Sequence, residues 1–156
     1  MTVQPGLQYK YSNSGFSLVG AAMERATGRS YAELRRDRIL QSLRLSGCGL
    51  TSQPPHPDLA LSYRIQEGKI VPLPASPLFE AQAPASSLVS TVGDIARFAQ
   101  GHLVRGPVAP IPDAVKDLLL SAQVPSGETG AVGLGWHYAW RENMSHWFHN
   151  GAWNSG

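Results

Sequence analysis

The sequence predicts an α+β domain, on three observations. Segments 13–28 and 30–40 carry apolar residues at helical spacing, and each begins on a capping residue. Segments 59–73 and 133–150 alternate or are β-branched, and each contains a short polar turn. Hydrophobic residues make up 42% of the 156 positions and charged residues only 15%, the balance of a chain that encloses a core and has the length of one ordinary domain.

The first helix is expected from Asn13 or Ser14 to Gly28, with Phe16, Val19, Met23 and Ala26 on one face and Gly28 as a left-handed cap. Ser30-Tyr31-Ala32-Glu33 opens a second helix running to about Leu40, since a serine with an acid three residues later satisfies two amide donors reciprocally. Leu34, Ile39 and Leu40 should pack it antiparallel against the first. Pro54-Pro55-His56-Pro57 marks a loop, and Leu59–Ile65 with Lys69–Leu73 reads as a hairpin turning at Glu67-Gly68. Residues 72–84 are expected to be irregular. Ser90 or Thr91 caps the next helix, with Asp94 in its first turn and Ile95, Phe98 and Leu103 inward. Pro112 at a first-turn position and Asp113 at the positive end start another helix over Val115–Leu120. Beyond the glycine-rich segment 126–130, Gly133–Trp140 and Ser145–Asn150 form two strands joined at Arg141-Glu142-Asn143-Met144.

The formal net charge is +2, and the one basic grouping, Arg35, Arg36 and Arg38, fits a solvated helix face better than a nucleic-acid surface. No stretch reaches the ~20 apolar residues of a membrane-spanning helix. A single cysteine, Cys48 in Ser46-Gly47-Cys48-Gly49, excludes an internal disulfide and a cysteine-rich metal centre, and reads as a small buried side chain. His56 and His102 read as loop and helix-surface residues. The sequence signals no cofactor.

Chemistry concentrates first at Tyr11-Ser12-Asn13. In a strand or tight turn, residues two apart project to one side, which would aim a phenol and an amide into one cleft. A phenol that titrates near ~10 serves as a base at neutral pH only beside a cation. The Asn offers a donor and an acceptor and can orient substrate. By itself Tyr-x-Asn is a common turn pattern. With its flanks, Pro5-Gly6-Leu7-Gln8-Tyr9-Lys10-Tyr11-Ser12-Asn13-Ser14-Gly15-Phe16-Ser17-Leu18-Val19-Gly20 and on to Gly28, it closely resembles the second active-site motif of the serine β-lactamase-like family, which includes penicillin-binding carboxypeptidases, D-aminopeptidases and lactamase-fold esterases.

Two further segments resemble the same family. Leu88-Val89-Ser90-Thr91-Val92-Gly93-Asp94-Ile95-Ala96-Arg97-Phe98 is similar to its loop-then-helix segment, with Ser86-Ser87 where the family has two glycines, a place where serine would be penalised at positive φ. Gly133-Leu134-Gly135-Trp136 followed by His149-Asn150-Gly151 resembles the strand lining the family's cleft. The resemblance implies that His149 holds a substrate carboxylate and favours ionisation of Tyr11, that Gly151 lets substrate approach the backbone, and that the Ala152 amide forms half of an oxyanion hole. A competing reading gathers His137, His146 and His149 around a metal ion. No acid stands beside them at familiar ligand spacing, and His146 and His149 would face opposite sides of a regular strand.

The resemblance also implies a nucleophile on Ser-x-x-Lys, where one helical turn brings the amine to the serine proton. The lysines are Lys10, Lys69 and Lys116, and Leu7, Gln66 and Asp113 stand three residues before them. The expectation is therefore an incomplete β-lactamase/transpeptidase-like domain over residues 1–156, the helical lobe plus edge strands of an antiparallel sheet, without the nucleophile segment and the last strands and helix, and exposing an apolar helix face and a sheet edge. Its implied activity is that of part of a serine hydrolase forming an acyl-enzyme with an ester, amide or β-lactam, with Tyr11, Asn13, His149, Gly151 and Ala152 at the site. The alternative is a noncatalytic ligand-binding or sensory module on that scaffold. Either way the partner is a small ester, amide or peptide-like molecule.

Overall fold

The computed structural model describes residues 4, 6–50, 58–60, 62–73, 80–127 and 130–151. Pro5, His56 with the neighbouring prolines, and Ala152 lie outside the described residues. Two compact units result, one of Met1–Tyr11, Gly101–Asn154 and Gly156, the other of Ser12–Gln100 and Ser155.

In the second of these, α1 (Asn13–Thr27) begins where the sequence predicts. The Ser12 hydroxyl accepts the Gly15 amide proton at 3.0 Å, and Gly28 closes the helix at φ 67°, donating its N–H to the Glu24 carbonyl. Glu24 also accepts the Tyr31 amide proton at 2.7 Å, tying α1 to the start of α2 (Tyr31–Arg35). Both halves of the Ser30–Glu33 capping box form. The helix then widens into a π-helical turn, Arg36–Leu40, in which the Gln41 N–H reaches back five residues to the Arg36 carbonyl at 2.9 Å. Helical structure thus extends to Leu40 as expected, though not as one regular α-helix.

Packing between these helices departs from the prediction. Leu34, Leu43 and Leu45 are buried, whereas Phe16, Val19, Met23 and Ile39 remain partly exposed along a groove of about 510 Å³. Gly20 is the buried position of α1: a Cβ there would stand 2.9 Å from the Pro84 Cβ and closer still to its Cγ. A small residue at the helix midpoint lets the 80–86 segment rest on the backbone, so the apolar stripe lines the groove instead of filling it.

Strands β2 (Tyr63–Gln66) and β3 (Lys69–Pro72) form the expected hairpin with register Gln66↔Lys69, but the first strand begins at Tyr63 and not at Leu59. Glu67 and Gly68, at φ 51° and 75°, take the two left-handed positions that match a turn to the strand twist. Both faces are largely exposed, Ile65 and Ile70 included. The sequence reading missed a short antiparallel pair, β1 (Gly49–Leu50) with β4 (Leu88–Val89). Two-residue strands carry no usable periodicity.

The same unit holds a buried polar network around Asp94. Thr91 caps α3 (Val92–Leu103) by accepting the Asp94 amide proton at 3.1 Å. Asp94, 1% exposed, accepts the Gly47 N–H at 2.6 Å and an Arg97 N–H at 2.7 Å. Ile95 and Leu103, expected inward, are exposed; the buried first-turn position belongs to the carboxylate. Cys48 is part-buried, its Sγ 3.0 Å from the Ser90 hydroxyl, and burial pushes its thiol above the ordinary range. Ser87 does adopt φ 79°, so serine occupies a left-handed position, as the resemblance to a glycine pair implies.

Candidate functional site

In the other unit the sheet runs β5 (Val124–Ser126), β6 (Gly130–Val132), β7 (His137–Arg141), β8 (Met144–Phe148), all antiparallel neighbours. The turn between β7 and β8 falls where the sequence places it, with Glu142 and Asn143 at φ 50° and 61°. The expected strand from Gly133 to Trp140 is corrected: it divides into the end of a bend and β7. Gly135 adopts φ 84°, and the Gly133 amide donates to the Trp136 carbonyl at 2.7 Å. A Cβ on Gly133 would meet the Leu119 and Ser121 carbonyl oxygens at 2.5 and 2.9 Å, so this glycine lets the bend lie against the end of α4 (Asp113–Leu119). The Gly-x-Gly-Trp motif is thereby explained by backbone geometry.

Pro112 is the residue before α4, not within its first turn, and the helix starts at Asp113. Lys116, with no exposed surface, points its ammonium at the Val104 carbonyl and at Asp113 Oδ1, 2.7 Å away, and Asp113 also accepts the Gly106 amide proton at 3.1 Å. This network closes the 104–112 loop. His102 is also corrected: it is 8% exposed, meeting the Trp136 ring edge-on at 5.3 Å. The end of α3 packs there, which a surface reading of a helical histidine overlooks.

His149 follows directly on the last residue of β8, whose final ladder pair is His137↔Phe148. Past the ladder the strict alternation of faces lapses. His137 consequently touches both successive residues: its ring stacks on Phe148 at 5.5 Å and 24°, and stands 5.6 Å from the His149 ring. Tyr9 meets the same imidazole edge-on at 5.5 Å and 88°. His146 lies earlier in β8, opposite Ala139. Among the described residues, no group of three or more His, Cys, Asp or Glu side chains is placed to hold a metal ion.

Tyr11, His149 and Gly151 belong to this unit, and Tyr11 is 57% exposed. Asn13 opens α1 in the other unit, so the Tyr and Asn do not share a strand. Two hollows of about 520 and 510 Å³ flank α1; Ser14, Ser17, Gly20 and Tyr31 contribute to the first, and neither is lined by Tyr11, Asn13, His149 or Gly151. The aromatic cluster on His137 escaped the sequence reading, because it joins Tyr9 to positions 128 or more residues away, and only the Tyr-x-Tyr spacing of Tyr9 and Tyr11 hinted that both matter.

The profile of the family described as Beta-lactamase matches residues 1–156. The chain belongs to the beta-lactamase family. Among curated members of this family, a β-lactamase of Escherichia coli K12 is 30% identical over 134 residues, covering 85% of this chain and 34% of that protein. The D-alanyl-D-alanine-carboxypeptidase/endopeptidase AmpH of the same organism is 31% identical over 150 residues, covering 86% of this chain and 36% of that protein. In structure, the octameric penicillin-binding protein homologue from Pyrococcus abyssi superimposes with a TM-score of 0.78 at 20% identity, over 92% of this chain and 33% of that one. The chain thus has the β-lactamase/transpeptidase fold, in its mixture of helices and antiparallel sheet, and spans about a third of the length of the curated relatives it matches. The family is one of serine hydrolases, β-lactamases and D-alanyl-D-alanine carboxypeptidases among them. No helix among the described residues is long and apolar enough to cross a membrane.

Proposed function

We propose that this chain is part of a serine hydrolase that forms an acyl-enzyme with an ester, amide or β-lactam. The observation that carries this reading is the family match along all 156 residues, with Tyr11-Ser12-Asn13 set against a capped helix and His149-Asn150-Gly151 set at the end of a sheet strand. In this reading the serine of a Ser-x-x-Lys segment, which these residues do not contain, attacks the carbonyl. Tyr11 passes a proton to the leaving group during acylation and takes one from water during deacylation. Asn13 orients the substrate and the lysine amine. His149 supplies polarity or positive charge towards a substrate carboxylate, and Gly151 with the Ala152 amide lines the side on which the oxyanion develops. Histidine in the place where lactamases commonly have lysine favours an esterase or peptidase-like substrate.

Covalent labelling tests it. The full-length protein, treated with a fluorophosphonate or a fluorescent penicillin, should carry the label on one serine located by peptide mapping. A folded full-length protein that takes up neither probe rules the acyl-enzyme out. The lack of Ser-x-x-Lys within these residues favours a second reading, a ligand-binding module without turnover, for which the same penicillin would bind saturably and be released intact.

A further inference from the structure

The geometry points to His137 as a positioning residue, an aromatic joint that sets where His149 stands relative to the segment leading into Tyr11; this rests on the hydrolase reading for its catalytic consequence. Three rings meet the one imidazole. Tyr9 approaches it edge-on at 5.5 Å, Phe148 stacks on it at 24°, and His149 is tilted against it at 59° with the centroids 5.6 Å apart. All three separations lie within the range in which aromatic rings attract in edge or offset orientations.

The three rings come from two segments. One, around Tyr9, reaches Tyr11 two residues later; the other carries His149 and Gly151. His137 itself is fixed by the first pair of the β7–β8 ladder, opposite Phe148, and is half-buried, whereas His149 is exposed and lies one residue beyond that ladder. A rigid, strand-borne ring therefore supports a more exposed one. The side chain that would meet a substrate carboxylate rests on His137, and Tyr9 braces that ring from the other segment.

If the joint acts through ring packing, a phenyl ring should replace it and a methyl group should not. In the full-length protein, His137→Ala is expected to lower kcat/KM about 10- to 100-fold, the scale of a displacement near 1 Å in a catalytic group. His137→Phe should stay within about threefold of the parent. Because the effect runs through His149, His137→Ala should add little to the loss already caused by His149→Ala. Losses that multiply in the double variant, or a His137→Phe variant as impaired as His137→Ala, overturn the proposal.

A second readout needs no turnover. Diethyl pyrocarbonate modification at His149, followed by peptide mapping, should accelerate severalfold in His137→Ala and match the parent in His137→Phe. Where His137→Ala does not fold, His137→Leu, which keeps the bulk without the ring, takes its place and should also accelerate modification. Unchanged His149 reactivity in folded variants lacking the ring overturns the joint even if the hydrolase is active. A full-length protein without turnover or labelling, but with the predicted change at His149, leaves the joint standing and removes the hydrolase reading.

Discussion

Asp94 Oδ2 accepts the Gly47 amide proton at 2.6 Å, across 47 residues of sequence. The same carboxylate takes an Arg97 N–H at 2.7 Å while being 1% exposed, so a single charge in α3 fixes the loop that leads into β1. Gly47 must be glycine for this, since a Cβ there would come 2.7 Å from the Thr91 methyl and 3.1 Å from the carboxylate itself.

Removing that carboxylate strands the Gly47 donor and leaves a void. Hydrogen bonds to charged groups are worth roughly 1.5–3 kcal/mol, and a vacated buried site adds to the loss. Asp94→Ala should therefore destabilise by about 2–4 kcal/mol, with Asp94→Asn intermediate because it keeps an acceptor oxygen but loses the Arg97 ion pair. Urea unfolding measures this. Equal midpoints for Asp94→Ala and the parent would show that the contact contributes nothing net.

Gly20→Ala sets two effects against each other. In a free helix the change would gain about 1 kcal/mol from propensity. Here the added methyl would collide with the Pro84 ring, which cannot rotate away, and overpacking costs roughly 1–3 kcal/mol. The collision should win, giving a net loss of up to about 2 kcal/mol and a lower melting temperature. A melting temperature above the parent's would mean that the 80–86 segment shifts at no cost.

The elements that local chemistry specifies were legible in the sequence. Ser12 and Gly28 bound α1, Ser30 with Glu33 starts α2, and the two hairpin turns need left-handed pairs at Glu67-Gly68 and Glu142-Asn143. What eluded it depends on residues distant in the chain. The β1–β4 pair joins segments 39 residues apart through two-residue strands, as Gly49↔Val89 and Leu50↔Leu88 record at separations of 40 and 38. The Gly133 bend looks like strand until the carbonyls at the end of α4 are placed against it. Of the proposed site, Tyr11, His149 and Gly151 are suggested by motif resemblance, whereas the ring cluster on His137 forms only once β7 and β8 are in register.

Acid should weaken the fold through three carboxyl groups. Glu33 is held below its usual range by the Ser30 amide and hydroxyl, Asp37 by Arg36 and then Arg29, and Asp113 by Lys116 and then the Gly106 amide. A carboxyl with a depressed folded value binds its proton more readily when unfolded, so its contribution is present at neutral pH and is lost as pH falls through the folded value. Melting temperatures should be flat from about pH 7 to 5 and decline below about pH 4, where ordinary carboxyls titrate. Glu33→Gln should reduce the slope of that decline. An identical slope in the variant would assign the acid sensitivity elsewhere.

Tyr11→Phe separates chemistry from structure at the proposed proton carrier. The ring is 57% exposed, so deleting its hydroxyl should change stability by less than about 0.5 kcal/mol. A positioned acid–base group typically contributes 10²–10⁴-fold to rate, and losing it should slow both halves of an acyl transfer. In the full-length protein we expect kcat to fall by about two to four orders of magnitude, with the melting temperature unchanged. Pre-steady-state labelling with a chromogenic ester should show both acylation and deacylation slowed, because in the proposed mechanism the same phenol serves the leaving group and the water. If only one phase slows, Tyr11 acts in that half alone; if neither does, the proton carrier is another group.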